Sequence, residues 1–260
     1  MKITRWRRVV QGGGLVFGLL GFAGIGMTHI IFPGLHCYAC PLSVTVCPIG
    51  LIQNLIAFGT VPFYWLGAIA GYGLIAGRGF CGWFCPFGTL NDLLTFRKVK
   101  IWKTGSFGKY VILGGTLLAA WGFADTMFCK ICPAATVEAS IPYLFLGVAT
   151  VNAPLLIHVA SFAVTLIGML LIARFWCRYL CPMGALLSLF NRVSFLHLEL
   201  TSSQCTACGA CASRCPMGIE PHLEHDNHNC IKCGACTEAC SFGALRLRFS
   251  LPFRRRTKPS

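Results

Sequence analysis

Cys205, Cys208, Cys211 and Cys215 stand in CTACGACASRCP, and Cys230, Cys233, Cys236 and Cys240 in CIKCGACTEACS. Each run is C-x2-C-x2-C-x3-C. Three closely spaced thiolates on a loop grip three corners of a cubane, and the chain then leaves it, so the fourth cysteine ligates the neighbouring cluster. The spacing predicts two [4Fe–4S] clusters with crossed ligation. Cys205, Cys208, Cys211 and Cys240 hold one; Cys230, Cys233, Cys236 and Cys215 hold the other. Zinc ribbons separate their cysteine pairs by longer spacers, and a cytoplasmic domain is too reducing for disulfides. Ser241 stands where a proline, Pro216, follows the first run, and leaves the ligand set intact. His222, His225 and His228, between the runs, are candidates for metal binding, against the default of a solvated polar loop.

Nine cysteines remain of the seventeen. RGFCGWFCPFGTL (78–90) is repeated by ARFWCRYLCPMGAL (173–186): Arg78, Cys81, Cys85, Pro86, Gly88 and Leu90 recur 96 positions later as Arg174, Cys177, Cys181, Pro182, Gly184 and Leu186. Four thiols from two repeats make one complete cluster site. The proline after Cys85 and after Cys181 suits the first turn of a helix, and sets the cysteine beside that helix's positive end, where thiolate and anionic cluster are both favoured. A second set is CYACP (37–41) and CKICP (129–133), so Cys37, Cys40, Cys129 and Cys132 form a further cluster or, in an oxidising compartment, disulfides. Cys47 in VCPIG also precedes a proline and is a substitute for Cys37 or Cys40 as ligand.

The elements that position these residues follow from composition. With 55% hydrophobic and 12% charged residues and a mean hydropathy of +0.68, the chain falls in the membrane class. Apolar runs at about 9–32, 55–77, 110–128 and 154–176, each of about 19 to 24 residues, are long enough for the ~20 residues of a spanning helix. The first exceeds the apolar stretch of a signal peptide and is read as an uncleaved anchor. Lys2, Arg5, Arg7 and Arg8 precede it, and Arg97, Lys98, Lys100, Lys103 and Lys109 separate the second run from the third. Arg174, Arg178 and Arg192 flank the end of the fourth. Residues 33–61 carry no charged side chain, and 129–153 only Lys130 and Glu138. The positive-inside rule then places both termini in the cytoplasm of an inner-membrane, multi-pass protein. The net charge of +14 is that of loops facing lipid headgroups rather than of a nucleic-acid binder, and the basic tail at 251–260 suits anionic lipid.

The expected architecture is α-helical. A membrane domain (1–200) has four transmembrane helices as two parallel repeats, followed by a two-cluster bacterial-type ferredoxin domain (201–250). The C-x3-C-P pairs at the ends of the second and fourth runs, followed by two ferredoxin runs of which the last ends in C-S, resemble the membrane-bound polyferredoxins of the NapH type, related to the NosR and MauN proteins. The resemblance covers nearly the whole chain, although CYACPLSVTVCPIG and CKICPAATVEA depart from the NapH pattern. It implies electron transfer between the quinol pool and redox partner proteins, with the ferredoxin domain in the cytoplasm, and makes the chain a candidate quinol-oxidising component of an oxidoreductase. His29 and His158 are candidates for a quinol pocket or a haem b, against the plainer role of packing histidines, and Asp125 and Glu138 for proton release at the outer face. There is no C-x-x-C-H for c-type haem and no nucleotide-binding loop. Two other functions use the same clusters: metalloenzyme assembly, by reduction of a metal or thiol, and oxygen or redox sensing.

Overall fold

The computed structural model describes residues 3–18, 30–31, 33–34, 37, 45–60, 63–94, 107–145, 147 and 152–251; Cys40, His29 and the basic tail from residue 252 lie outside them. The predicted spans overlap α1 (Ile3–Gly18), α3 (Phe63–Ala76), α6 (Gly108–Phe123) and α9 (Ala153–Leu171), the first only over 9–18, since 19–29 lie outside the described residues. Among the described residues only α9 is long and apolar enough to cross a bilayer. At 1.5 Å per residue α3 and α6 reach roughly 21 and 24 Å against a ~30 Å hydrocarbon core.

The apolar runs overstate helix length because hydropathy does not register backbone turns. The run at 55–77 begins inside α2 (Pro48–Ala57), which stops before Gly59 at φ +65, and α3 starts afresh at Phe63. The left-handed region is open to glycine without steric cost. Past α6, Ala124 sits at φ +49, and a 3-10 turn (Met127–Ile131) and a chain of short helical pieces follow: α7 (Pro133–Ala135), a π segment (Thr136–Ser140) and α8 (Ile141–Phe145). Below α3, α4 (Gly79–Trp83) leads into α5 (Pro86–Leu94); below α9, a π segment (Trp176–Leu180) leads into α10 (Pro182–Leu189). The two repeats thus end alike. Two short strands, β1 (Ile30–Ile31) and β2 (Thr45–Val46), pair in parallel.

The ferredoxin domain is closed by β3 (Leu196–Leu200) antiparallel to β4 (Leu245–Phe249), with Leu198 opposite Leu247. Its first strand precedes residue 201, because sequence composition marks only the cysteine-rich interior. Leu198, Leu245, Cys211 and Cys236 share a small core. The short helices α11 (Ala210–Ser213) and α12 (Ala235–Ala239) begin after Gly209 (φ +73) and Gly234 (φ +74), so the two cysteine runs have one backbone shape.

The ferredoxin domain is docked tightly on the helices. A Cβ at Gly82 would lie 2.5 Å from the Ile231 carbonyl oxygen, Trp83 Nε1 donates to Lys232 O (2.9 Å), and Asn191 Nδ2 donates to both Asn227 O and Cys230 O (2.9 Å each). Lys232, buried, donates to Ala76 O (3.1 Å) and bonds Ser194 Oγ. Gly82→Ala is therefore expected to push the 229–233 loop off α4 at a cost of about 1–3 kcal/mol. Limited proteolysis after Leu200 should accelerate in the variant; an unchanged rate contradicts this docking.

Candidate iron–sulfur centres

The structure gathers the cysteines into sets of four. Cys205, Cys208, Cys211 and Cys240 line one cavity, and Cys215, Cys230, Cys233 and Cys236 another. Each set takes its fourth cysteine from the other run. Burial pushes the Cys230 thiol up to about 12 and raises Cys215 and Cys236. Cys208, exposed at the rim, is lowered by its bond from the Ala210 amide. A buried set that stays protonated alone must shed protons on binding a metal centre. His222 Nδ1 lies 3.7 Å from Cys211 Sγ. It lines the Cys205 cavity, which the solvated-loop reading did not anticipate. His225 is an exposed partner of Asp226 (3.8 Å), and His228 Nδ1 bonds Ser188 O (3.1 Å).

Cys81, Cys85, Cys177 and Cys181 line a third cavity, with Phe87, Trp176 and Met183 as its apolar wall. All four cysteines are buried. Cys85 and Cys181 stand directly before Pro86 and Pro182, and their carbonyls accept the first helical amides, from Thr89 (3.0 Å) and Ala185 (3.1 Å). Gly184 N also donates to Cys181 Sγ (3.3 Å), which makes this cysteine a helix cap.

Two arginines hold the halves together by exchange. Arg78 Nη2 donates to Cys177 O (2.7 Å), and Arg174 Nη1 donates to Cys81 O (3.2 Å). Each repeat's arginine thus grips the first cysteine of the other repeat. The glycines two residues past the prolines make room for them: a Cβ on Gly88 would lie 2.7 Å from Cys81 O, and one on Gly184 3.1 Å from Arg78 Nη2. The repeated Arg and Gly were visible in the sequence, but their roles come only from this crossing.

The charges differ between the halves. Arg174 is paired to Asp92 through Nε–Oδ1 (2.9 Å) and Nη2–Oδ2 (2.6 Å), and Arg7 (2.8 Å) and Gln11 (2.9 Å) from α1 reach the same carboxylate. Arg78 has no carboxylate partner among the described residues. It shares Asn229 Oδ1 (3.1 Å) with Lys109 Nζ (2.6 Å); Arg78, Arg174 and Lys109 are each at most 1% exposed, and burial, with Arg78 beside it, lowers the Lys109 ammonium to about 7. Arg78 Nε and Trp176 Nε1 are buried without a hydrogen-bond partner. Isolated buried charge costs several kcal/mol unless an opposite charge is at hand. Here a ring of four thiolates with a [4Fe–4S] core supplies net negative charge, so the residues present fit that group. Lys109, Asn229 and Asp92 carry no motif that sequence reading could have flagged.

On the opposite side, Cys47 and Cys132 are buried, and Cys37 and Cys129 half-buried, all without a disulfide. Cys40 lies outside the described residues, as does His29. His158 Nδ1 is bonded to Ser140 Oγ (2.6 Å), and Thr136 Oγ1 donates to His158 O (2.9 Å), contacts that pack α9 against the π segment. Asp125 is paired with Lys130, and Glu138 accepts from Cys37 N (2.6 Å).

Comparison with known proteins places the chemistry. A family model described as a 4Fe–4S binding domain matches residues 58–103 and again 155–198, one match per repeat, and a second of the same description matches 222–245. The matched stretches are 4Fe–4S binding domains of the ferredoxin type. Among its relatives are the electron transport protein YccM of Escherichia coli (42% identical over 59 residues) and the methylamine utilization ferredoxin-type protein MauN of Paracoccus denitrificans (40% over 60). An uncharacterised protein of Methanocaldococcus jannaschii is 48% identical over 46 residues. The aligned stretches cover 18–23% of this chain and only 16–20% of these relatives. No solved structure matches. The likeness to NapH- and MauN-type polyferredoxins read from the motifs is matched by these findings.

Proposed function

We propose that this chain is a multi-pass inner-membrane electron conduit between the quinol pool and cytoplasmic redox partners, with both termini cytoplasmic. The observation that carries the reading is the cavity at Cys81, Cys85, Cys177 and Cys181, flanked by the buried cations Arg78 and Lys109 and touching the ferredoxin loop at Asn229. A [4Fe–4S] cluster held by four thiolates takes up and gives back one electron at a time. The protein supplies the rest. Arg78, Arg174 and Lys109 offset negative charge in a dry site, and the apolar wall excludes water. The docked 229–233 loop fixes the Cys215, Cys230, Cys233 and Cys236 set as the nearer ferredoxin site, with the Cys205 set and its exposed Cys208 farther out. Leu156, Ile157, Val164, Ile167, Leu170 and Leu171 of α9 stay exposed, an apolar face that lipid satisfies; four spans and a quinol site are parts of this proposal.

Anaerobic mixing with a quinol analogue tests it. Reduction of all clusters at turnover rates is expected. Slow reduction with transfer to copper or iron supports metalloenzyme assembly instead, and reversible cluster loss in air that alters partner binding supports sensing. The crossed ligation has its own check: Cys215→Ser should alter the EPR spectrum of the cluster held by Cys230, Cys233 and Cys236, not that of the cluster nearest in sequence. Change confined to the Cys205 cluster contradicts it.

A further inference from the structure

The two repeats diverge beside the cavity of Cys81, Cys85, Cys177 and Cys181. Phe80 and Trp176 stand 96 positions apart, as the matching cysteines do, and their backbones play the same part: Phe80 O accepts from Cys85 N (3.1 Å) and Trp176 O from Cys181 N (2.9 Å). Their side chains do not. Phe80 packs edge-on against Tyr72, with ring centroids 5.4 Å apart, whereas Trp176 joins the cavity wall. An indole, which has one N–H donor and no acceptor, therefore stands where strict repetition would put a phenyl ring.

Trp176 is 7% exposed, and its Nε1 is buried without a hydrogen-bond partner. Buried donors are seldom left so, because nothing then offsets their desolvation. The protein groups around the ring offer little. Phe87 and Phe128 flank it at centroid distances of 6.2 and 6.3 Å. Met183 carries only a weak thioether acceptor and Arg78 only donors, and Cys177 O already accepts from Arg78 Nη2 (2.7 Å). The strong acceptors left on this wall are sulfurs: those of the four cysteines and, with a cluster bound, its sulfides.

We infer that Trp176 Nε1 donates a hydrogen bond to a sulfur of the cluster in this cavity and thereby raises the cluster's midpoint potential. The inference rests on the cluster reading of the site. An N–H donor stabilises the more negative, reduced state more than the oxidised one. A raised potential favours electron entry from a donor bound among the helices.

Redox-titrated EPR on anaerobically purified full-length protein tests it with Trp176→Phe, which keeps an aromatic ring and removes the N–H. The variant should keep its iron, the signal that Cys85→Ser removes should titrate at a more negative potential, and the other clusters should keep theirs. In wild-type protein grown with tryptophan carrying the heavy nitrogen isotope, electron–nuclear double resonance on that signal should show a nitrogen coupling that Trp176→Phe lacks. An unmoved midpoint, or a moved one without the nitrogen coupling, overturns the inference. Where Trp176→Phe does not assemble the cluster, the wild-type label decides: the coupling supports the bond, and its absence overturns it. If the wild type has no signal that Cys85→Ser removes, the cluster reading itself fails and this inference with it, an outcome distinct from a signal that is present but indifferent to Trp176.

Discussion

Replacing Cys85 or Cys181 with serine is expected to abolish quinol-dependent reduction of the ferredoxin domain while leaving its clusters reducible by dithionite, with their EPR signals preserved. The expectation follows from connectivity. The four-cysteine site lies between the helices and the docked loop that carries Cys230 and Cys233, with Arg78 bonded to Cys177 O on one side and to Asn229 on the other. A donor bound among the helices has this site between it and the ferredoxin. The ferredoxin cavities draw all eight of their cysteines from residues 205–240, so their assembly does not depend on Cys85 or Cys181. Undiminished quinol-dependent reduction, with the junction cluster shown to be missing, contradicts the route.

Asp92→Asn is expected to have the largest effect on stability. Asp92 is the counter-charge of Arg174, 1% exposed, and also receives Arg7 and Gln11 from α1. Removing one partner of a buried pair costs about 3–5 kcal/mol, because the other charge is left uncompensated; the 19% exposure of Asp92 places the loss at the lower end. Burial alone raises this carboxyl, but the Arg174 guanidinium and its hydrogen bonds, with Arg7 and Gln11, outweigh burial and hold it below the usual carboxylate range. A depressed folded-state pKa contributes stability that is present above the unfolded value of about 3.9 and is lost as pH falls through the folded value. Thermal unfolding of the wild type should therefore weaken below about pH 4, and the asparagine variant should lack that contribution to the acid slope. Equal melting temperatures of the two proteins at pH 7 contradict the role given to Asp92.

The parts legible in the sequence were those fixed by covalent spacing. C-x2-C-x2-C-x3-C determines which loops curl, and the two ferredoxin cavities are each lined by three cysteines of one run and one of the other. The 96-residue repeat likewise brought Cys81 and Cys85 to Cys177 and Cys181. What spacing does not encode is the approach of distant segments. Gly82 looks like any glycine in a motif until Ile231 O lies against it, and Lys109 reads as a loop cation of the positive-inside pattern although it is fully buried on Asn229. Helix ends were lost for a related reason: averaged hydropathy passes over Gly59 and Ala124, whose left-handed backbone ends or bends the chain there.

The central claim is that three or more sets of four cysteines hold [4Fe–4S] clusters in one connected chain, with the set at Cys81, Cys85, Cys177 and Cys181 between helices and ferredoxin. Redox-titrated EPR on anaerobically purified protein, with iron and acid-labile sulfide counted on the same sample, tests it most directly. The account predicts iron and sulfide in equal amounts, about twelve or more of each per chain. It also predicts a signal that disappears in Cys85→Ser and magnetic coupling between that centre and the cluster of Cys230, Cys233 and Cys236. About eight irons per chain, with a spectrum indifferent to Cys85→Ser, would contradict it.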